Sequence, residues 1–316
     1  MEKRSRLERV LLLTSLCSVF IAPSLAQPVI KIQNTASPLA GRWQWGNDEA
    51  RQRDFKNGYW IGYSILRLME QRTFIGSYRS DPRENKPTLL EIISGVRLEH
   101  GLDEITASDN STSEGVIDLK NGDNHRPKIV KEIGILFHFN GGDSGKVNEL
   151  RVSNLSLHVE LEKDALVWVG SANQTESASL LESLYKNACG VGPKERFMMA
   201  VSLHDSSARS LEFLKAVLQG TEEADVRKGA AFWLGQKATE KTKGTLKELV
   251  YEDEDTDVQR NALYTLAQKE NGNDVDELIR VVRTHPNPKV RKEAIFLLGE
   301  SENPKALEAL IEFVKK

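Results

Sequence analysis

Leu214-Lys215-Ala216-Val217-Leu218, Leu246-Lys247-Glu248-Leu249-Val250, Leu278-Ile279-Arg280-Val281-Val282 and Leu310-Ile311-Glu312-Phe313-Val314 are four versions of one segment, spaced 32 residues apart. Three apolar positions recur together in all four. The first helix of each pair repeats as well: Ala230, Ala262 and Ala294 align, as do Leu234, Leu266 and Leu298, followed by Gly235, Ala267 and Gly299. Ala200 and Leu203 mark an earlier, weaker copy. A helical period in the thirties predicts stacked helix pairs, because one pair cannot cover its own apolar stripe. Four pairs are expected over residues 193–316, with small Ala and Gly positions allowing close helix approach. Lys315 and Lys316 suit a helix C-terminus and are expected to keep that end of the stack wet.

Upstream the period changes. Tyr59, Ile61, Tyr63 and Ile65 fall on one face of a strand, Ile133, Ile135, Phe137 and Phe139 alternate with Gly134, Leu136 and His138, and Leu155, Leu157, Val159 and Leu161 alternate with Ser156, His158 and Glu160. Phe74–Tyr78 and Leu166–Val169 read as shorter strands, and 89–93 as a helical turn or a strand. The turn-rich stretch Asn140-Gly141-Gly142-Asp143-Ser144-Gly145 predicts a hairpin between 133–139 and 155–161. The expected fold is multidomain α+β. A lead-in covers 27–54, and a mainly antiparallel β domain with one buried face covers 55–170. Residues 101–127 form a polar loop within that domain, and a connecting helix at 171–192 leads into the α-solenoid.

The chain has 316 residues, 39% of them hydrophobic and 28% charged, as in soluble globular proteins. Lys3, Arg4, Arg6 and Arg9 precede the apolar run from Val10 to Ala22, and Ser24-Leu25-Ala26 follows Pro23. That order predicts a secretory signal peptide over 1–26 and an exported protein, periplasmic or extracellular. Removing its four basic and two acidic residues leaves 39 Lys and Arg against 44 Asp and Glu, a net charge of −5. Such a chain is no nucleic-acid binder by charge, and no second apolar run reaches membrane length. Cys189 then has no disulfide partner and is expected to be a buried thiol.

Asp225-Val226-Arg227, Asp257-Val258-Gln259-Arg260 and Pro288-Lys289-Val290-Arg291, each followed by Ala and then Leu-Gly or Leu-Ala, resemble HEAT-like repeats of the short phycobilisome-lyase type. The resemblance covers nearly 40% of the chain. It implies the solenoid and protein partners, and is silent on activity. Lys289 departs from the Asp of the pattern, which breaks any Asp–Arg ladder there. Tyr59-Trp60-Ile61-Gly62-Tyr63 and Val167-Trp168-Val169-Gly170, leading into the repeats, look like exported bacterial HEAT-repeat proteins to which no activity is assigned.

No pattern in the chain requires a catalytic group, a metal or a cofactor. Gly142-Asp143-Ser144-Gly145 copies the serine motif of trypsin-like proteases, but a hairpin turn favours the same residues and the domain is too small. His138 and His158 are expected to face each other across the hairpin as a surface pair. Some HEAT-like iron hydroxylases use His-Glu pairs, and no His-Glu dipeptide occurs here. Glu252 to Asp257 reads as a solvated turn, and Lys228, Arg260 and Lys292 as a register of surface charge.

Lys215, Tyr251, Arg280 and Arg283, on the second helices, are the candidate partner-binding residues, because aromatic and arginine side chains dominate docking hot spots. The expected function is a non-catalytic scaffold or adaptor. Two alternatives stay open. One is a lyase-like enzyme or chaperone holding a small molecule between solenoid and sheet. The other is a carbohydrate-binding β domain, which needs Trp43, Trp45, Trp60 and Trp168 exposed in a row.

Overall fold

The computed structural model describes residues 28–71, 73–78, 87–96, 113–118, 127–141, 145–162, 164–204, 208–236, 240–268 and 275–315. Residues 1–26, expected to be a signal peptide, much of the 101–127 loop and residues 142–144 of the protease-like motif lie outside the described residues. Strands β1 (Val29–Lys31), β2 (Tyr59–Glu70), β5 (Lys128–Phe139), β6 (Glu149–Asn154) and β7 (Ala165–Ala172) form a five-stranded sheet in the order β1-β7-β2-β5-β6. A two-stranded sheet pairs β3 (Thr73–Tyr78) with β4 (Ser113–Asp118).

The main sheet is mixed, with its longest ladder antiparallel. β1 and β2 both run parallel to β7, while β5 is antiparallel to β2 and β6 to β5. Both faces are buried, against the expectation of one. On one face Tyr59, Ile61, Tyr63 and Ile65 join Ile133, Ile135, Phe137 and Phe139 in the main core. On the other, Trp60, Leu136, Leu166 and Trp168 pack with Leu155, Val159 and Leu161 under α2 (Leu89–Ser94). Trp60 and Leu136 are large apolar residues at intervening positions, so a second layer covers them, as the parallel half of a sheet requires.

Three other expectations change. The lead-in supplies β1 and the helix α1 (Leu39–Arg53), which packs on β7 and β2. The predicted polar loop contains β4. The partner of 133–139 is β6, while 155–161 is irregular chain covering the second face, where its alternating apolar side chains are still needed.

β7 feeds α3 (Gln174–Tyr185), whose N-cap Asn173 accepts a hydrogen bond from Glu176 N at 2.9 Å. α4 (Val191–Ser202) then lies against both α3 and β6. Phe197 of α4 sits 5.7 Å from the Phe137 ring and 6.0 Å from Tyr185. Sheet and helices therefore share one continuous core. A buried polar relay stitches the same junction. The Nδ1 of His204 lies 2.9 Å from Ala200 O, which only accepts, so Nδ1 carries a proton. In the neutral ring Nε2 then accepts from Ser177 Oγ at 2.8 Å, and Ser177 accepts from the Tyr63 hydroxyl at 2.8 Å.

Four pairs follow: α4 with α5 (Ala208–Leu218), α6 (Ala224–Gln236) with α7 (Glu240–Glu252), α8 (Thr256–Ala267) with α9 (Val275–Thr284), and α10 (Pro288–Gly299) with α11 (Pro304–Val314). First helices stack in succession, and each second helix packs against the first helix of the next pair. Leu214, Leu246 and Leu278 are buried in the seam, and Leu310 is half-buried. The motif residues Arg227, Gln259 and Arg291 tie loops between helices. Arg227 makes a near-buried two-pronged bond to Asp253 at 2.9 and 3.0 Å, Gln259 donates to Asp253 O at 2.8 Å, and Arg291 to His285 O at 2.6 Å. Gly235 is small for a packing reason, since a Cβ there would lie 2.0 Å from Thr265 Cγ2, and Thr265 is held by its hydrogen bond to Asn261 O.

Three substitutions test this packing. Ser177→Ala strands the buried Tyr63 hydroxyl and should cost about 1–3 kcal/mol in urea unfolding. Gly235→Ala should lose about 1–3 kcal/mol by overpacking. Gly244→Ala, in α7 with open space around it, should instead gain up to about 1 kcal/mol from helix propensity.

Candidate functional site

The four sequence-predicted residues fall on three second helices. Lys215 is half-buried on α5. Tyr251 on α7 and Arg280 on α9 come together, the guanidinium 4.8 Å from the ring centre, and burial raises the Tyr251 hydroxyl above its ordinary range. Arg280 also bonds the buried Glu277 at 2.6 Å, and Lys247 approaches the other Glu277 oxygen at 3.4 Å. Arg283 pairs with Glu312 at 2.8 Å and lies over the Phe313 ring. These arginines are thus engaged in holding one pair to the next.

The first helices present a different surface. A groove of about 780 Å³ opens between the start of β6 and helices α4, α6 and α8, lined in part by Glu149, Arg196, Lys228, Phe232, Trp233 and Asn261. β6 is the edge strand of the sheet, and α4 packs on it, so the groove lies where sheet and solenoid meet. Gly229 lets α4 approach, because a Cβ there would lie 2.9 Å from Met198 Cε. The rings of Phe232 and Trp233 meet edge-on at 5.0 Å, with Phe232 exposed and Trp233 half-buried against the core. Asn261 Oδ1 is buried there without a hydrogen-bond partner among the described residues.

Lys228 donates to Asp225 at 2.8 Å, and this bond, ahead of the charges of Asp225, Asp257 and Asp255, holds its ammonium above the ordinary lysine range. A lysine kept protonated binds and cannot act as a base at neutral pH. Arg260 repeats the motif with Asp257 at 3.2 Å and adds Glu293 at 2.6 Å. Lys289 stands where the third copy would need Asp, so no such rung forms on Lys292 from that position. Phe232, Tyr264 and Phe296 are all exposed and lie 32 residues apart. That aromatic register, one helical turn after Lys228, Arg260 and Lys292, was legible in the chain. The meeting of β6 with α4 that turns part of it into a groove was not.

The other candidates are structural. His138 bonds Asp164 at 2.9 Å, while His158 bridges Thr88, so the two histidines serve different contacts. Among the described residues no group of three His, Cys, Asp or Glu is placed to hold a metal. The acidic run is consumed locally: Asp253 holds Arg227, and Asp255 caps α8 by accepting from Asp257 N and Val258 N. Trp43, Trp60 and Trp168 are buried, so no tryptophan row faces solvent on the sheet. Cys189 is exposed rather than buried, because the chain leaves α3 at Tyr185 and runs along Val147 as a loop instead of continuing as helix. No described helix is long and apolar enough to cross a membrane.

Stacked pairs with a 32-residue period, joined to a mixed-sheet head, define an α-solenoid protein. Residues 211–276 match the family model of HEAT repeats, and residues 290–316 match that of the PBS lyase HEAT-like repeat. With the observed stacking, these matches support a HEAT-repeat protein. No curated protein matches the chain. HEAT repeats are commonly protein-interaction scaffolds and generally non-catalytic.

The Asp255 cap makes a pH prediction. The two backbone donors depress its carboxyl below the ordinary value, so its contribution is present above about pH 4 and is lost as pH falls through the folded value. Asp255→Asn keeps the cap without the titration. Between pH 6 and 3, thermal melts should show a smaller loss of stability for this variant than for the parent chain.

Proposed function

We propose that this protein is an exported, non-catalytic interaction scaffold, acting in the periplasm or outside the cell, whose protein partner docks in the groove between β6 and the first helices. The groove itself carries the reading. It combines an exposed aromatic beside a half-buried tryptophan, charges of both signs, and a buried acceptor at Asn261. An extended segment with one apolar side chain, and a backbone N–H to meet Asn261 Oδ1, fits this chemistry. The charge-then-apolar order of residues 1–26 supports export.

A second reading is favoured by the position of Phe232 and Trp233 at the junction of sheet and solenoid. A small molecule held there would lie between the aromatic pair and the charged Lys228.

A photo-crosslinker placed at Phe232, and in a separate variant at Lys215, distinguishes the faces in the native envelope. Capture of a protein at position 232 is the expected result. Capture at 215 alone would move docking to the second helices. If neither position captures a protein and a metabolite copurifies, the scaffold reading fails.

A further inference from the structure

Phe232, Tyr264 and Phe296 are 44%, 45% and 60% exposed. The first two stand on α6 and α8, each packed between neighbouring first helices, so their exposure belongs to the face of the stack and not to its end. Elsewhere these helices bury their large aliphatic side chains, among them Val226, Leu234, Val258, Leu263 and Leu266. One aromatic ring per repeat is left outside, always at the same position. A single exposed ring is ordinary, whereas a row at the period of the fold marks an interaction surface. Its charges are already matched beside the first two rings: Lys228 pairs with Asp225 at 2.8 Å, and Arg260 with Asp257 and Glu293 at 3.2 and 2.6 Å. Aromatic contact, not net charge, is what this face offers.

The spacing of the row selects what fits it. α6, α8 and α10 pack directly on one another: a Cβ at Gly235 would meet Thr265, and Arg260 of α8 reaches Glu293 of α10. Packed helices lie about 8–10 Å apart, and equal positions on stacked repeats are related by that step with a small rotation. A polyproline II segment has three residues per turn and rises about 9 Å per turn, so every third side chain faces the same way at the same step. A strand returns to one face about every 7 Å, and an α-helix about every 5.4 Å. Neither keeps pace with the rings.

We infer that this row docks a proline-rich segment of the partner protein in polyproline II form, with proline at every third position; this rests on the groove reading above and gives its partner a chemistry. The first proline sits beside Phe232 and Trp233 at the groove, the next on Tyr264 and the third on Phe296. Polyproline II makes no internal hydrogen bonds. Its non-proline N–H groups can therefore meet Asn261 Oδ1, buried and unpaired among the described residues, and its carbonyls can accept from the Tyr264 hydroxyl. Such a segment is largely preformed, so it loses little conformational entropy on docking.

Fluorescence anisotropy of the full chain with two labelled nine-residue peptides tests the spacing. Each peptide carries three prolines among alanines, spaced three apart in one and four apart in the other. The three-spaced peptide should bind about tenfold tighter, and Tyr264→Ala should weaken it about tenfold while Tyr264→Phe keeps most of the binding. Tyr264 is exposed and outside the groove lining, and melting curves verify that both variants fold. Lys215→Ala, on the second helices, should change nothing. Equal affinity for the two peptides, no binding of either, indifference to Tyr264→Ala, or binding of a neutral chitin oligosaccharide in place of the peptide overturns the inference. If the crosslinker at position 232 captures a protein while neither peptide binds, the scaffold reading stands and the polyproline assignment alone falls.

Discussion

The packing of α4 on the sheet is the constraint on which the rest depends. Phe197 enters between Phe137 and Tyr185, and the relay from Tyr63 through Ser177 to His204 satisfies the polar groups buried beside it. Burial of large aromatic surface supplies the energy, while the relay fixes orientation, since an unpaired buried hydroxyl is costly. Because α4 is also the first helix of the solenoid, its seat on the sheet sets the direction of the whole stack.

From that seat the helices propagate by nearest-neighbour contact. Arg227 reaching Asp253, Gln259 reaching its carbonyl, and Arg291 reaching His285 O are variants of one device. Each uses a side chain near the start of a first helix to tie down a loop. The substitution of Gln for Arg at 259 keeps the hydrogen bond and drops the charge. Among the described residues, the Arg227–Asp253 ion pair is nearly buried, and both partners are fully engaged there.

The groove is a by-product of the same geometry. A solenoid abutting an edge strand leaves a cleft along the first helices, and Gly229 deepens the contact by admitting Met198. Residues that the sequence marks as a simple charge register become, at Lys228 alone, part of a concave site with Phe232, Trp233 and Asn261. Arg260 and Lys292 lie farther along the stack on the same register. The arginines on the second helices, which by composition resembled a docking hot spot, lie in contact with neighbouring helix pairs, Arg280 with the preceding one and Arg283 with the next.

The amino-acid order by itself determined the solenoid, because a 32-residue recurrence of three apolar positions has one economical burial. It also determined that Tyr59–Ile65 and Ile133–Phe139 would be strands, through alternation. Tertiary structure alone decided the mixed pairing, the burial of both sheet faces, and the use of 155–161 as a cover rather than a strand. The reason is physical: period tells which side chains share a face, but not which distant segment competes best to cover that face. The same limit hid the groove, whose two walls, β6 and the first helices, lie far apart in the chain and meet only because a shared core brings them together.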